Sequence, residues 1–306
     1  MPTFIKKIFT RKPKIIVIVG PTSSGKTSLS IDMARYIKGE IVSADSRQVY
    51  TQLNLLSGKV TADEMKNVPH HMLDVVDISS DYSVSQYVQE AKKCIADIIK
   101  RGKTPIICGG TGFYIDALVY DIQLPEVPPN TSLREHLRQK TTSELNILLA
   151  EKDPARAAII DHHNRHRLIR SLEVADALGV NPPPPTYDNP PYRPLIIGLT
   201  LDLDVLKERI SKRMDERISA GMIDEARNIF KKHGDTKLQT LGLDARYACA
   251  VAKGEMDIDT MKNELLGANM HYAKRQMTWW KRNKDIHWFN PLEDKAEMLK
   301  TAKHFI

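Results

Sequence analysis

Cysteine is scarce: Cys94, Cys108 and Cys249 are the only three in 306 residues, far apart, odd in number and without a C-x-x-C pair. That pattern suggests neither a disulfide framework nor a thiolate zinc site, and it points to a reducing compartment. No apolar run approaches the roughly 18 to 20 residues of a membrane span, so a soluble protein with no membrane partner is expected. The stretch from Met1 to Lys14 carries Lys6, Lys7, Arg11, Lys12 and Lys14 but has neither the apolar core nor the small-residue cleavage site of a secretory signal. A cytoplasmic location is expected, with a short organellar presequence as the alternative. There is no Asn-Lys-x-Asp base-reading element, which argues against a GTPase, and no internal repeat or low-complexity tract.

What is present is an ordinary globular composition, 42% hydrophobic and 27% charged, on a chain long enough to bury a sizeable core in one large domain or two. Lys plus Arg number 45 against 38 for Asp plus Glu, a net charge of +7. A polyanionic partner fits that excess, although many enzymes are mildly basic.

The most informative stretch is Gly20-Pro21-Thr22-Ser23-Ser24-Gly25-Lys26-Thr27, between the apolar run Ile15 to Val19 and a helical pattern from Ser28. It matches G-x-x-x-x-G-K-S/T in a strand, loop, helix context. The glycines let the backbone form a nest of N–H donors, Lys26 adds a cation, and the Thr27 hydroxyl can ligate Mg²⁺ where the helix dipole already favours an anion. A polyphosphate is expected here.

Residues 40–45 read as a second buried strand ending at Asp45, with Ser46, Arg47 and Gln48 as its loop. Asp45 is therefore expected in the ligand crevice beyond the strand ends. A helix from 81–85 to Arg101, a strand over 104–108 and a second glycine turn, Gly109 to Gly112, continue the alternation of a parallel sheet. From Leu124 prolines punctuate the chain and no strand is convincing until 194–199. The pattern predicts an α/β fold, a P-loop NTPase-like parallel sheet flanked by helices, in which 1–124 and 190–306 form the catalytic core and 125–189 an inserted all-helical domain. Long helices are predicted over 203–220, stopped by Gly221, and over 260–284.

Two basic stretches lie elsewhere, Arg165 to Arg170 and Lys274 to Arg282. Cations interleaved with Trp279 and Trp280 suit RNA phosphates and unstacked bases; equally, the indoles could anchor an amphipathic helix whose cations face water. His162, His163 and His166 have no carboxylate or cysteine partner at ligand spacing, so a metal there is weakly supported.

Together these pieces resemble the tRNA dimethylallyltransferase family. The resemblance is carried by Gly20 to Thr27, Asp45-Ser46-Arg47-Gln48-Val49-Tyr50, Pro69-His70-His71-Met72-Leu73-Asp74 and Tyr82-Ser83-Val84. It continues through Gly109-Gly110-Thr111-Gly112-Phe113-Tyr114, Asp153 to Ala157, Arg167 to Val174, and Ala273-Lys274-Arg275-Gln276-Met277-Thr278-Trp279. It implies that Gly20, Thr22, Ser23, Ser24, Gly25, Lys26 and Thr27 hold the diphosphate of dimethylallyl diphosphate with Mg²⁺ on Thr27. Asp45, Thr27 and Lys26 would be catalytic, Asp45 taking the N6 proton of an adenosine next to the anticodon; the alternative for Asp45 is a water-mediated Mg²⁺ ligand. The resemblance further implies that the tRNA anticodon stem-loop meets Asp45, Ser46, Arg47, Gln48 and Thr111, and is gripped by His166, Arg167, Leu168, Ile169 and Arg170 and by Lys274, Arg275, Gln276, Trp279 and Lys281. A monomer is expected.

The chain departs from the family pattern at Leu55 to Lys59, Asp161 to Asn164, Gly242-Leu243-Asp244-Ala245 and Asn269-Met270-His271, and it lacks the zinc-finger Cys/His pattern of eukaryotic relatives, which favours a bacterial origin. Rival readings are a prenyltransferase acting on free adenylate, a divergent RNA-binding paralogue, and a small-molecule kinase, for which a dedicated lid rich in arginines near the phosphates is not obvious.

Overall fold

The computed structural model describes residues 12–183 and 190–306. Lys6, Lys7 and Arg11 of the basic N-terminal stretch and Pro184 and Pro185 of the second proline run lie outside them. The first part of the chain forms β1 (Lys14–Val19), α1 (Lys26–Ile37), β2 (Gly39–Ser43), the single turn α2 (Ala62–Met65), β3 (His70–His71), α3 (Val84–Lys100), β4 (Thr104–Cys108) and α4 (Gly112–Val119). There follow α5 (Thr131–Gln139), α6 (Thr142–Lys152), α7 (Pro154–Ala157) and α8 (Arg165–Leu178). The remainder is β5 (Arg193–Leu199), α9 (Leu203–Ser219), α10 (Met222–Thr240), α11 (Leu243–Ala252), α12 (Ile258–Trp280), β6 (Ile286–Phe289) and α13 (Lys295–Phe305). Among the described residues no helix is long and apolar enough to cross a membrane.

The chain divides into two compact units, Met1–Asp121 with Asn189–Ile306, and Ile122–Asp188. The first is an α/β unit of the P-loop NTPase-like type. Its six strands run parallel in the order β3-β2-β4-β1-β5-β6. Ile15 to Val19 of central β1 are wholly buried, as expected of a strand covered on both faces. One layer packs Leu29, Met33 and Ile37 of α1 and Met298 and Ala302 of α13 against Ile16, Ile18 and Ile106. A second apolar cluster joins α10 and α11, through Ile229, Leu238 and Ala248, to Val49 and Leu53 of the loop after β2.

Local signals explain the boundaries. Ser83 and Gln86 form a capping box that starts α3, and Gly221, at φ 102°, ends the run of α9 in a left-handed turn that a side chain would strain. The last long helix stops at Trp280 rather than Lys284. There the Asn283 side chain accepts the Asp285 N–H at 2.9 Å and donates to Tyr120 Oη at 2.7 Å, turning the chain into edge strand β6.

The second unit is all helical. Leu137 of α5, Leu145 and Leu149 of α6 and Leu168, Ile169 and Leu172 of α8 share one core. This corrects the expectation that His166 to Arg170 face a ligand as a block, because the helical repeat turns Leu168 and Ile169 inward. Arg170 is engaged as well, through buried Glu173 and the Val127 carbonyl. Glu173 also accepts from Arg134 and from the Asn130 N–H, so the carboxylate is fully partnered, as a buried charge must be.

In the first unit α4 and α12 meet through Asp116, whose Oδ2 accepts the Trp279 indole N–H at 3.0 Å. Burial pushes Asp116 up to about 6, only partly opposed by that hydrogen bond. A carboxyl group raised by folding favours the native state fully below its ordinary value and loses that contribution as pH rises through about 6. Asp116→Asn keeps an acceptor for Trp279 and carries no charge. The variant is expected to be more stable than the parent at pH 8 by up to about 3 kcal/mol, with the difference vanishing near pH 4, in urea denaturation at both pH values.

Candidate active site

Parallel strands bring the ends of β1, β2 and β4 to one edge, and each supplies a loop. After β1, Gly20 (φ 144°) is so close to β5 that a Cβ would stand 2.8 Å from the Leu199 carbonyl oxygen, and Gly25 (φ 97°) turns the loop into α1. Only glycine fits both requirements. Inside the loop Lys26 Nζ donates to the Pro21 carbonyl at 2.6 Å. Desolvation, with Arg213 adding to it against the attraction of Cys108 and Asp45, pulls Lys26 down to about 8. Thr27 is exposed at the first turn of α1, and the buried Ser24 hydroxyl has no partner among the described residues.

After β2 the chain leaves the sheet at Ser43, so Asp45 heads a tight turn in which its Oδ1 accepts from Arg47 N at 2.8 Å and from Gln48 N at 3.4 Å. Its Oδ2 faces Gly110, 4.0 Å from where a Cβ would stand. The β4 turn closes on this one: Thr111 N donates to Ala44 O at 3.2 Å, and Thr111 Oγ1 accepts Ser46 N at 3.0 Å. Gly109 lies against the Ala44 backbone, where any side chain would overlap. Gln48 accepts from Ser43 Oγ at 3.2 Å and donates to Gly58 O at 3.3 Å.

Gln276 of α12 joins the two halves. Its Oε1 accepts Thr22 N at 2.8 Å and its Nε2 donates to Gly110 O at 2.9 Å. The residue is buried, so its amide is a brace inside the site and not the nucleic-acid contact expected of it. Lys274, Arg275 and Lys281 of the same region are exposed, Trp280 is buried in the core, and Trp279 is half-buried on Asp116.

Beside the phosphate loop opens a cavity of about 920 Å³ between Lys26 and Thr27, the 54–66 segment and α9. Arg209, Arg213 and Arg217 line it in a row, with Lys212. The sequence alone did not single out this row. The signal was available, since residues four apart on a helix share a face, but nothing in the sequence says which face α9 turns to the loop. Arg213 Nη2 donates to Gly58 O at 2.8 Å, while Arg217 pairs with Asp244 at 2.8 Å and reaches Leu55 O at 3.1 Å. Asp244, one of the departures, thus neutralises one cation of the row.

The Leu55 to Lys59 departure has its own support. Glu225 accepts the N–H groups of Asn54, Leu55 and Leu56 at 2.9 to 3.0 Å, and Lys59 is held by Tyr50 O at 2.8 Å and Asp74 at 2.5 Å. Asn269, in a third departure, is buried with its Nδ2 unpartnered among the described residues. In the helical unit, a pocket of about 640 Å³ is lined by Arg138, Asp161, His163, Arg165 and His166; Arg167 is exposed on α8.

Residues 48–283 match the family described as IPP transferase. The chain is 36% identical over 300 residues to the tRNA dimethylallyltransferase of Enterococcus faecalis, covering 95% of this chain and 96% of that one. It is 37% identical over 295 residues to the enzyme of the same name from Latilactobacillus sakei, with 92% and 94% covered. This chain belongs to the IPP transferase family. Among solved structures, the full-length tRNA isopentenylpyrophosphate transferase of Bacillus halodurans is similar at a TM-score of 0.72 and 30% identity, over 96% of this chain and 97% of that one. The phosphate loop and Asp45 precede the matched stretch 48–283, whereas Thr111, Arg213 and Gln276 fall within it.

Because Lys26 loses its proton above about pH 8, inorganic diphosphate is expected to bind the free protein tightly below that pH and progressively more weakly above it, by calorimetric titration. Lys26→Met should bind weakly throughout and abolish the step. Gln276→Leu leaves Thr22 N and Gly110 O without partners, at about 1–3 kcal/mol for each group; a loss of about 2–6 kcal/mol is expected in urea denaturation.

Proposed function

We propose that this protein transfers a dimethylallyl group from dimethylallyl diphosphate to N6 of the adenosine next to the anticodon in tRNA, releasing diphosphate. The observation that carries the reading is the braced juxtaposition of the phosphate loop with the Asp45 turn, through Gln276 and Gly110, in a chain of this family. In the reaction the N6 lone pair attacks the allylic carbon, the carbon–oxygen bond to diphosphate breaks with its electrons leaving on oxygen, and N6 gives up a proton. Asp45 is suited to accept that proton, since the turn N–H groups hold Oδ1 and leave Oδ2 toward Gly110.

The leaving group gathers charge as the bond breaks. Lys26, the loop amides and Arg213 face that charge from fixed positions, and each such preorganised contact is worth a few kcal/mol in the transition state. Thr27 suits Mg²⁺, because this ion takes few protein ligands and keeps substrate phosphates and water for the rest. When bound there it would neutralise diphosphate charge. Lys274, Arg275 and Lys281, and in the helical unit Arg167 and Arg138, are the cations offered to RNA phosphates, with the His166 ring beside them. The adenosine has to be unstacked to react, at a cost of a few kcal/mol. The reading implies a cytoplasmic location, in keeping with the free thiols Cys94, Cys108 and Cys249.

The test is incubation with Mg²⁺, labelled dimethylallyl diphosphate and either an anticodon stem-loop bearing that adenosine or free AMP. Label is expected in the stem-loop alone, and Asp45→Asn should lower the rate by about two to four orders of magnitude. Label in AMP alone would move the activity to free nucleotide; label in neither would overturn the proposal.

A further inference from the structure

Beside the Thr111 turn stands an aromatic group to which the proposed mechanism gives no role. Phe113, in the first turn of α4, is 40% exposed; with Tyr36 it is one of two exposed large aromatic residues among those described. Two residues before it, Thr111 binds the loop that carries Asp45. An apolar ring at such a position is neither core nor part of the phosphate machinery.

Its neighbour Trp279 is fixed on several sides. The indole N–H is held by buried Asp116 at 3.0 Å, the ring lies where a Cβ on Gly112 would overlap it, and the Arg282 guanidinium sits 4.0 Å from a ring centroid. Trp279 therefore has a cation over one face and serves as a support. Phe113 meets it edge-on, with centroids 6.5 Å apart and planes at 73°, an arrangement that favours a defined ring orientation. Exposed Lys281, Arg282 and Arg275 surround this end of α12 with positive charge.

We propose that the Phe113 ring is a stacking face for an unpaired nucleobase of the RNA substrate next to the accepting adenosine, held in place by Trp279. The inference rests on the function proposed above and adds the residue that positions the loop. Aromatic faces accept any base, because every base presents a π-surface, and nearby cations hold the backbone. Phe113 has no hydrogen-bonding group, so it senses that a base is present without reading which one.

The test is binding of a fluorescent anticodon stem-loop to the full chain and to Phe113→Ala, Phe113→Leu, Phe113→Tyr and Phe113→Trp, with thermal melts to establish folding. Removing a stacked base contact should weaken binding about 5- to 140-fold. That loss is expected for Ala and Leu, whereas Tyr and Trp should stay within about twofold of the parent and the KM for dimethylallyl diphosphate should not move. Abasic substitution at each loop position in turn identifies the stacked base: one substitution should weaken the parent and leave Phe113→Ala unaffected. Binding by Phe113→Ala equal to the parent, or abasic effects identical in both proteins, would overturn the inference. Stem-loop binding that depends on Phe113 without prenyl transfer would uphold the stacking face and refute the proposed activity.

Discussion

Parallel strand direction is the constraint on which the site depends. Because all six strands run the same way, the chain leaves β1, β2 and β4 at one edge of the sheet, and three loops distant in sequence share a crevice. Proximity alone would leave them independently mobile. Gln276 removes that freedom by accepting from the loop after β1 and donating to the turn after β4, while Thr111 ties that turn to the loop after β2. A helix more than 160 residues along the chain from Gly110 thus sets the distance between an anion cradle and a carboxylate. Glycines at 20 and 109 keep these backbones close, since a side chain at either would meet a carbonyl oxygen.

The electrostatics follow from the same crowding. Lys26 is desolvated and next to further cations, so its proton is held less firmly than in water. The row Arg209, Arg213 and Arg217 lines the cavity together with Glu64, Glu208 and Glu216, and Asp244 pairs with Arg217 at its far end. In the first unit the departures from the family pattern fall at Gly242 to Ala245, at Asn269 to His271 and at the Leu55 to Lys59 segment, which Glu225 reinforces from α10; the fourth, Asp161 to Asn164, lies in the helical unit. The loop and the Asp45 turn are left intact.

Trp279 illustrates how one residue type can serve two readings. In the sequence it alternates with cations in a way that suits RNA, and equally suits a helix anchor. Its indole N–H is held by a carboxyl group whose proton affinity burial raises, and Arg282 covers it. Trp280, one position on, points into the core because successive helical residues lie about 100° apart.

The α/β class, the phosphate loop, the Asp45 position and the proline-bounded helical insertion were legible in the sequence, because each rests on local chemistry: continuous apolar runs, glycines at a forced turn, prolines that forbid helix. Gly221 and the capping box at Ser83 set helix ends for the same reason. The direction in which each helix turns its faces was not legible. Leu168 and Ile169 proved to be core, Gln276 a brace, the α9 arginines a cavity wall, and Phe113 the exposed ring, because burial is decided by what packs against a helix and not by the residues along it. Local sequence determined which elements form and where they stop; only tertiary packing, through side chains meeting from distant parts of the chain, decided which of their residues face the site.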